Sequence, residues 1–123
     1  VLHNNHYHHA IASTDLLLAD VGAEVSTGWA ADITRTWPVS GRFSATQRAI
    51  YAVVLAAHDA CIAALKPGVE YREIHLLAAH AIATGLVDLG ILRGNPADLV
   101  EMDAHALFFP HGIGHLLGLD VHD

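Results

Sequence analysis

The chain has 123 residues, of which 53% are hydrophobic, and its formal charge is −7 at pH 7. This length and hydrophobicity suffice for one domain with a buried core, and they exclude a disordered chain. Six basic residues against thirteen acidic ones, without a cluster of Lys and Arg, argue against a nucleic-acid-binding surface.

The single cysteine, Cys61, cannot form an intrachain disulfide, and it favours a reduced, cytoplasmic setting. The longest uncharged apolar runs are shorter than the roughly 20 residues that span a bilayer, so no membrane association is predicted. The chain opens without an initiator Met and stops at Asp123 just after an expected strand. We therefore expect it to be part of a larger protein.

Short apolar runs alternate with polar turns in the first third of the chain and predict a β-meander over residues 1–4, 16–22 and 31–38. Ser26, Thr27 and Gly28 mark the turn between the second and third strands. A hairpin there would bring Asp20 and Asp32 close enough to share a site. Asp20 follows an apolar run and is expected to be buried. Because burial of an unpaired carboxylate is unfavourable, we expect a bound cation beside it.

Apolar residues recurring every three or four positions predict two helices, over residues 46–65 and 71–89. Their predicted core residues are Ile50, Val53, Val54, Ala57, Cys61, Leu65, Ile74, Leu77, Ala81 and Leu86. A short third helix is expected over 96–103, with Asn95 as its N-cap. Strands are expected over 106–109 and 116–121. The order of strands, helices and strands indicates the α+β class.

Eleven histidines are a large excess for this length, and imidazole is a common metal ligand. We interpret most of them as surface, hydrogen-bonded or loop residues without a distinctive context: His6, His8, His9, His58, His75, His80 and His105. By contrast, His111, His115 and His122 punctuate an apolar, glycine-bearing stretch. They are either core histidines or ligands. No Glu follows His111, so the helical zinc-protease motif is excluded.

Two carboxylates and an imidazole suit a pair of divalent ions such as manganese, cobalt or zinc, with a bridging water as nucleophile. Asp20, Asp32 and one histidine are too few ligands for two ions. No further carboxylates stand out in the sequence as the missing ligands.

Several motifs, in order, resemble the catalytic domain of Xaa-Pro aminopeptidases and Xaa-Pro dipeptidases, metallopeptidases of the pita-bread fold related to methionine aminopeptidase. The motifs are VLHNN (1–5), LLADVG (17–22), ADITRTWPVSGRF (31–43), LKPG (65–68), GILRG (90–94) and PHGIGHLLGLDVHD (110–123). The resemblance implies an antiparallel sheet covered by helices. It also implies that residues 1–123 are an incomplete catalytic domain, without the family's N-terminal domain and the C-terminal part of the catalytic domain.

The resemblance implies that Asp20, Asp32 and His115 bind two divalent ions, with manganese expected first and cobalt or zinc as alternatives. It places His3, His111 and His122 at the substrate, where they contact the peptide carbonyl and stabilise its developing charge. The family's two glutamate ligands follow the position of Asp123, so we expect this segment alone to be inactive or poorly active.

The implied function is hydrolysis of the Xaa-Pro bond in short proline-containing peptides, by a full-length protein expected to form a homo-oligomer. Two alternatives share the fold: a metal-free hydrolase resembling creatinase, and a catalytically dead domain that binds peptides or proteins. The presence of Asp20, Asp32 and His115 counts against both.

Overall fold

The computed structural model describes residues 6–119 and 121–122. The strand predicted over residues 1–4 lies outside them. The chain divides into two units, one formed by the described residues up to Ser44 together with those from Leu116 onward, the other by Ala45–His115.

The first unit is built on an antiparallel hairpin of β1 (Leu16–Glu24) and β2 (Ala30–Pro38). Its ladder is uninterrupted, running from Leu16 opposite Pro38 to Glu24 opposite Ala30. The turn is closed by a hydrogen bond from the Val25 amide to the Trp29 carbonyl (2.9 Å). Gly28, with φ of +86°, supplies the left-handed residue that such a loop requires. The predicted hairpin and its turn are confirmed.

The segment predicted as one strand over 116–121 instead folds back on itself. Its two short strands, β3 (Leu117–Gly118) and β4 (Val121–His122), pair antiparallel, with Leu117 opposite His122. The prediction of a single strand is wrong here because an apolar run by itself does not show where the chain reverses.

The second unit contains α1 (Ala45–Ala64), α2 (Tyr71–Asp88) and α3 (Pro96–Glu101). The predicted helices are therefore confirmed, with ends that differ by one or two residues. The side chain of Asn95 accepts a hydrogen bond from the Ala97 amide (2.8 Å), which confirms the predicted cap. None of the described helices is long and apolar enough to cross a membrane.

The strand predicted over 106–109 is wrong. Residues Ala104–Leu107 form a turn of 3-10 helix, and the amides of Phe108 and Phe109 both donate to the His105 carbonyl (2.9 Å each). A four-residue apolar run has no period of its own, so the local hydrogen bonds to His105 decide its conformation.

The core of the second unit lies between α1 and α2 and consists mainly of small side chains. The buried apolar residues of these two helices are Ala57, Cys61, Ile74, Ala78, Ala79, Ala83 and Leu86. The thiol of Cys61 donates to the Ile74 carbonyl (3.5 Å), and burial raises the pKa of this thiol. Three residues predicted in the core are instead exposed, Val54, Leu65 and Leu77. One helix pair buries only the side chains along its contact line, so the predicted apolar stripe is wider than the buried one.

Gly85 marks the close approach of the two helices. A Cβ at this position would stand 2.6 Å from both γ-methyl carbons of Val53. We expect Gly85→Ala to lower the free energy of unfolding by about 1–3 kcal/mol, because overpacking outweighs the better helix propensity of alanine. Urea unfolding of the complete protein measures this change. In a Val53→Ala background the same substitution should stabilise instead, and an unchanged or raised stability of Gly85→Ala alone would contradict the packing argument.

Candidate metal and substrate site

Asp20 and Asp32 lie on the same face of the β1–β2 hairpin. In the register, Asp20 is opposite Thr34 and Gly22 is opposite Asp32. Residues directly opposite each other share a face, as do residues two apart along a strand. The two aspartates are therefore diagonal neighbours, about 7–8 Å apart by the usual geometry of such pairs. The hairpin therefore places the two aspartates on one face, and their sharing of one site stays a prediction.

A hydrogen bond orients the first of these carboxylates. The Thr34 hydroxyl donates to Oδ1 of Asp20 at 2.7 Å. Arg35, a basic residue of β2, pairs in register with Ala19 and so lies on the opposite face from Asp20. Its guanidinium donates to the Thr34 carbonyl (2.7 Å). Thr34, rather than Arg35, is the neighbour in the hairpin that sets the orientation of Asp20.

The strands approach each other closely beside Asp32. A Cβ on Gly22 would fall onto the carbonyl oxygen of Ala31 and within 3.7 Å of the Asp32 Cα. Glycine in a strand often marks such a contact between backbones. Gly22 therefore leaves room for the close approach of the strand that carries Asp32.

The expectation that Asp20 is buried is wrong. Asp20 is exposed and Asp32 is half-buried, and Leu16 and Leu18 on the same face as Asp20 are exposed as well (44% and 56%). A two-stranded hairpin has too few neighbours to bury the side chains of a whole face. The case for a cation thus rests on the geometry of the pair and on its chemistry, since carboxylates on one face are suitable ligands for a divalent ion.

His111 and His115 lie on the glycine-bearing loop that ends the second unit, and both are exposed. The Nδ1–H of His111 donates to the Gly112 carbonyl (2.8 Å), which leaves Nε2 as the acceptor of the neutral ring. A Cβ on Gly114 would come within 2.7 Å of the Tyr71 hydroxyl, so the loop passes close to the start of α2. An open groove of about 530 Å³ in this unit is lined by residues that include Tyr71, His75, His105, His111 and Gly114.

Two histidines without a distinctive context in the sequence are buried, fully or in part. His105 is buried, with 6% exposure, and His75 is half-buried. Within the described part of the chain, neither Nδ1 has a hydrogen-bond partner. The spacing of His75 from the apolar residues Ala78 and Ala79, three and four positions along α2, is a signal that could have shown its burial from sequence.

Not every predicted site residue can be placed. His3 and the side chain of His122 lie outside the described residues. Among the residues that are described, no three His, Cys, Asp or Glu side chains come together in a group that could hold a metal ion. Asp20 and Asp32 belong to the first unit and His115 to the second. The aspartate pair fits part of a metal site, while the roles of His3, His111, His115 and His122 stay predictions.

Alignments to curated relatives cover most of this chain. The chain is 47% identical over 107 residues to a probable Xaa-Pro aminopeptidase of Botryotinia fuckeliana. This alignment covers 87% of the chain and 23% of the relative. The chain is 45% identical over 122 residues to one of Pyrenophora teres f. teres, covering 99% of the chain and 26% of the relative. The chain thus spans about a quarter of the length of the curated relatives it matches.

The chain also resembles solved structures of aminopeptidases. Zinc-substituted Escherichia coli aminopeptidase P in complex with product superposes with a TM-score of 0.94 at 41% identity, covering 100% of this chain and 28% of that one. Aminopeptidase PepP of Pseudomonas aeruginosa gives 0.93 at 43% identity, over 99% of this chain and 27% of that one. These likenesses confirm the predicted α+β fold of the pita-bread type. Since the model of metallopeptidase family M24 also matches residues 1–123, the chain belongs to that family.

Proposed function

We propose that the protein containing this chain is a metal-dependent aminopeptidase that hydrolyses the bond before proline in short peptides. The observation that supports this most directly is the position of Asp20 and Asp32 as diagonal neighbours on one face of the β1–β2 hairpin. That pair occurs in a chain whose relatives are named Xaa-Pro aminopeptidases.

Asp20 and Asp32 would hold divalent metal, with Thr34 fixing the orientation of the Asp20 carboxylate. A hydrogen bond of this kind to a metal-binding carboxylate restricts its rotation and tunes its basicity. The chemistry that such a metal would supply is polarisation of the scissile carbonyl and a lower pKa for a bound water molecule. We propose manganese as the native ion, with cobalt or zinc as substitutes. The E. coli relative exists in a zinc-substituted form.

His111 would act at the substrate. Its Nδ1–H is held by the Gly112 carbonyl, which fixes the ring and directs Nε2 away from that bond. In the neutral ring Nε2 accepts a hydrogen bond, and in the protonated ring it donates one. A protonated ring aimed at the carbonyl oxygen would stabilise the tetrahedral state more than the planar peptide, which is the requirement for catalysis.

The test uses the complete protein, stripped of metal with a chelator and then reloaded with Mn²⁺, Co²⁺ or Zn²⁺. We expect cleavage of a peptide with proline at the second position to disappear on stripping and to return best with Mn²⁺. A matched peptide with alanine in place of proline should be cleaved far more slowly. Hydrolysis that survives complete removal of metal would instead favour the metal-free alternative. A folded protein that binds the proline peptide without cleaving it, whatever the metal, would favour the binding module.

A further inference from the structure

Four aromatic rings of the second unit form a continuous series of contacts in space. The His105 ring lies edge-on to His75, with centroids 6.4 Å apart and an interplanar angle of 64°. The His75 ring stacks on Phe109 at 5.3 Å and 28°. Phe109 in turn meets His111 edge-on at 4.9 Å and 84°. The chain of contacts runs from a buried position, His105, to an exposed histidine of the candidate site.

Phe109 is fixed from two sides. Its backbone amide donates to the His105 carbonyl at 2.9 Å, and its ring stacks on His75, which is carried by the helix α2. Offset-stacked and edge-to-face geometries are the favourable ones for aromatic pairs. A ring held in this way presents a defined surface to His111.

Hydrogen bonding by the ring nitrogen Nδ1 does not explain why a histidine occupies position 75 of α2. Its Nδ1 is buried and, among the described residues, has no hydrogen-bond partner. Burying an unpaired polar atom costs stability. His75 instead contacts its neighbours through its ring, edge-to-face with His105 and stacked on Phe109.

We propose that His75 is a positioning residue for His111, acting through the ring of Phe109. This inference rests on the proposed peptidase function, in which His111 contacts the substrate. Together with the bond from Nδ1–H to the Gly112 carbonyl, the edge-to-face contact with Phe109 holds the His111 ring beside the groove, so that its orientation is set before a peptide binds. Because a small misplacement of a catalytic group can lower the rate by up to about a hundredfold, the effect should appear in turnover.

The experiment compares variants of the complete, metal-loaded protein. His75→Leu removes the flat ring, His75→Phe keeps the ring and removes its nitrogens, and His80→Leu changes an exposed histidine of the same helix. We expect His75→Leu to lower kcat about tenfold, with KM and bound metal nearly unchanged. His75→Phe should restore most of the wild-type kcat, and His80→Leu should have no effect.

A double-mutant cycle separates positioning from general loss of structure. In a His111→Ala background, His75→Leu should have little further effect on kcat, because the residue it positions is gone. Equal loss in both backgrounds, a His75→Phe variant as slow as His75→Leu, or an unaffected kcat in His75→Leu would each overturn the proposal. Absence of Xaa-Pro cleavage by the wild-type protein would refute the proposed function itself, and the two failures are therefore distinguishable.

Discussion

Asp32→Ala in the complete protein should lower kcat/KM on a Xaa-Pro peptide by at least about a thousandfold. The predicted role of Asp32 is to bind divalent metal. Metal-assisted stabilisation of the transition state contributes several kcal/mol, at about 1.4 kcal/mol for each tenfold in rate. Bound metal should fall in parallel, as measured by elemental analysis of the purified variant. The fold should survive, since Asp32 is half-buried and does not contribute to the helical core.

Asp59→Ala is the matched control for this substitution. Asp59 is an exposed aspartate of α1 whose Oδ1 lies 3.0 Å from Nδ1 of His58, and exposed pairs of this kind contribute little to stability. The control should keep both its metal and its rate. A rate close to wild type in Asp32→Ala would remove the basis for the metal assignment of both aspartates.

Gly22→Ala should lower both stability and metal affinity, although Gly22 is not itself a predicted metal ligand. The new Cβ would fall onto the Ala31 carbonyl oxygen, so the two strands must separate directly beside Asp32. We expect a loss of about 1–3 kcal/mol in the free energy of unfolding, as for other overpacked sites. Metal affinity should fall about 10- to 100-fold, the range seen when the support of a ligand is disturbed. Urea unfolding and calorimetric metal titration measure the two effects.

Val21→Ala is the neighbouring control. Val21 is 64% exposed and stands opposite Ile33, on the other face of the hairpin from Gly22. Its truncation should leave metal affinity unchanged and stability nearly so. A Gly22→Ala variant with wild-type affinity and stability would show that the strands separate at that point without consequence for Asp32.

The sequence predicted the hairpin and the helices because their signals are local. The turn residue Gly28, the N-cap Asn95 and the repeat of apolar residues along α1 and α2 each depend on neighbours in the chain. Alternation along β1 and β2 also shows which residues share a face within each strand, Asp20 with Leu18 and Asp32 with Thr34. These features follow from backbone geometry and need no knowledge of distant contacts.

The remaining features do not follow from the periodicity of the sequence. The run from Ala106 to Phe109 was predicted as a strand, but hydrogen bonds to the His105 carbonyl give it a helical turn. Burial of Asp20 was inferred from its apolar neighbours, whereas exposure depends on what covers the strand. The stacking of His75 on Phe109 joins residues on separate elements, and no periodicity in the sequence indicates it.

The uninterrupted ladder of β1 and β2 has a consequence for how the protein can change during evolution. A residue added to or removed from the loop between Glu24 and Ala30 alters the number of residues separating Asp20 and Asp32, but not the face on which either carboxylate lies. The same change inside a strand would rotate every later side chain to the opposite face. Variation in length within the family should therefore be tolerated in this turn and selected against in the strands beside it.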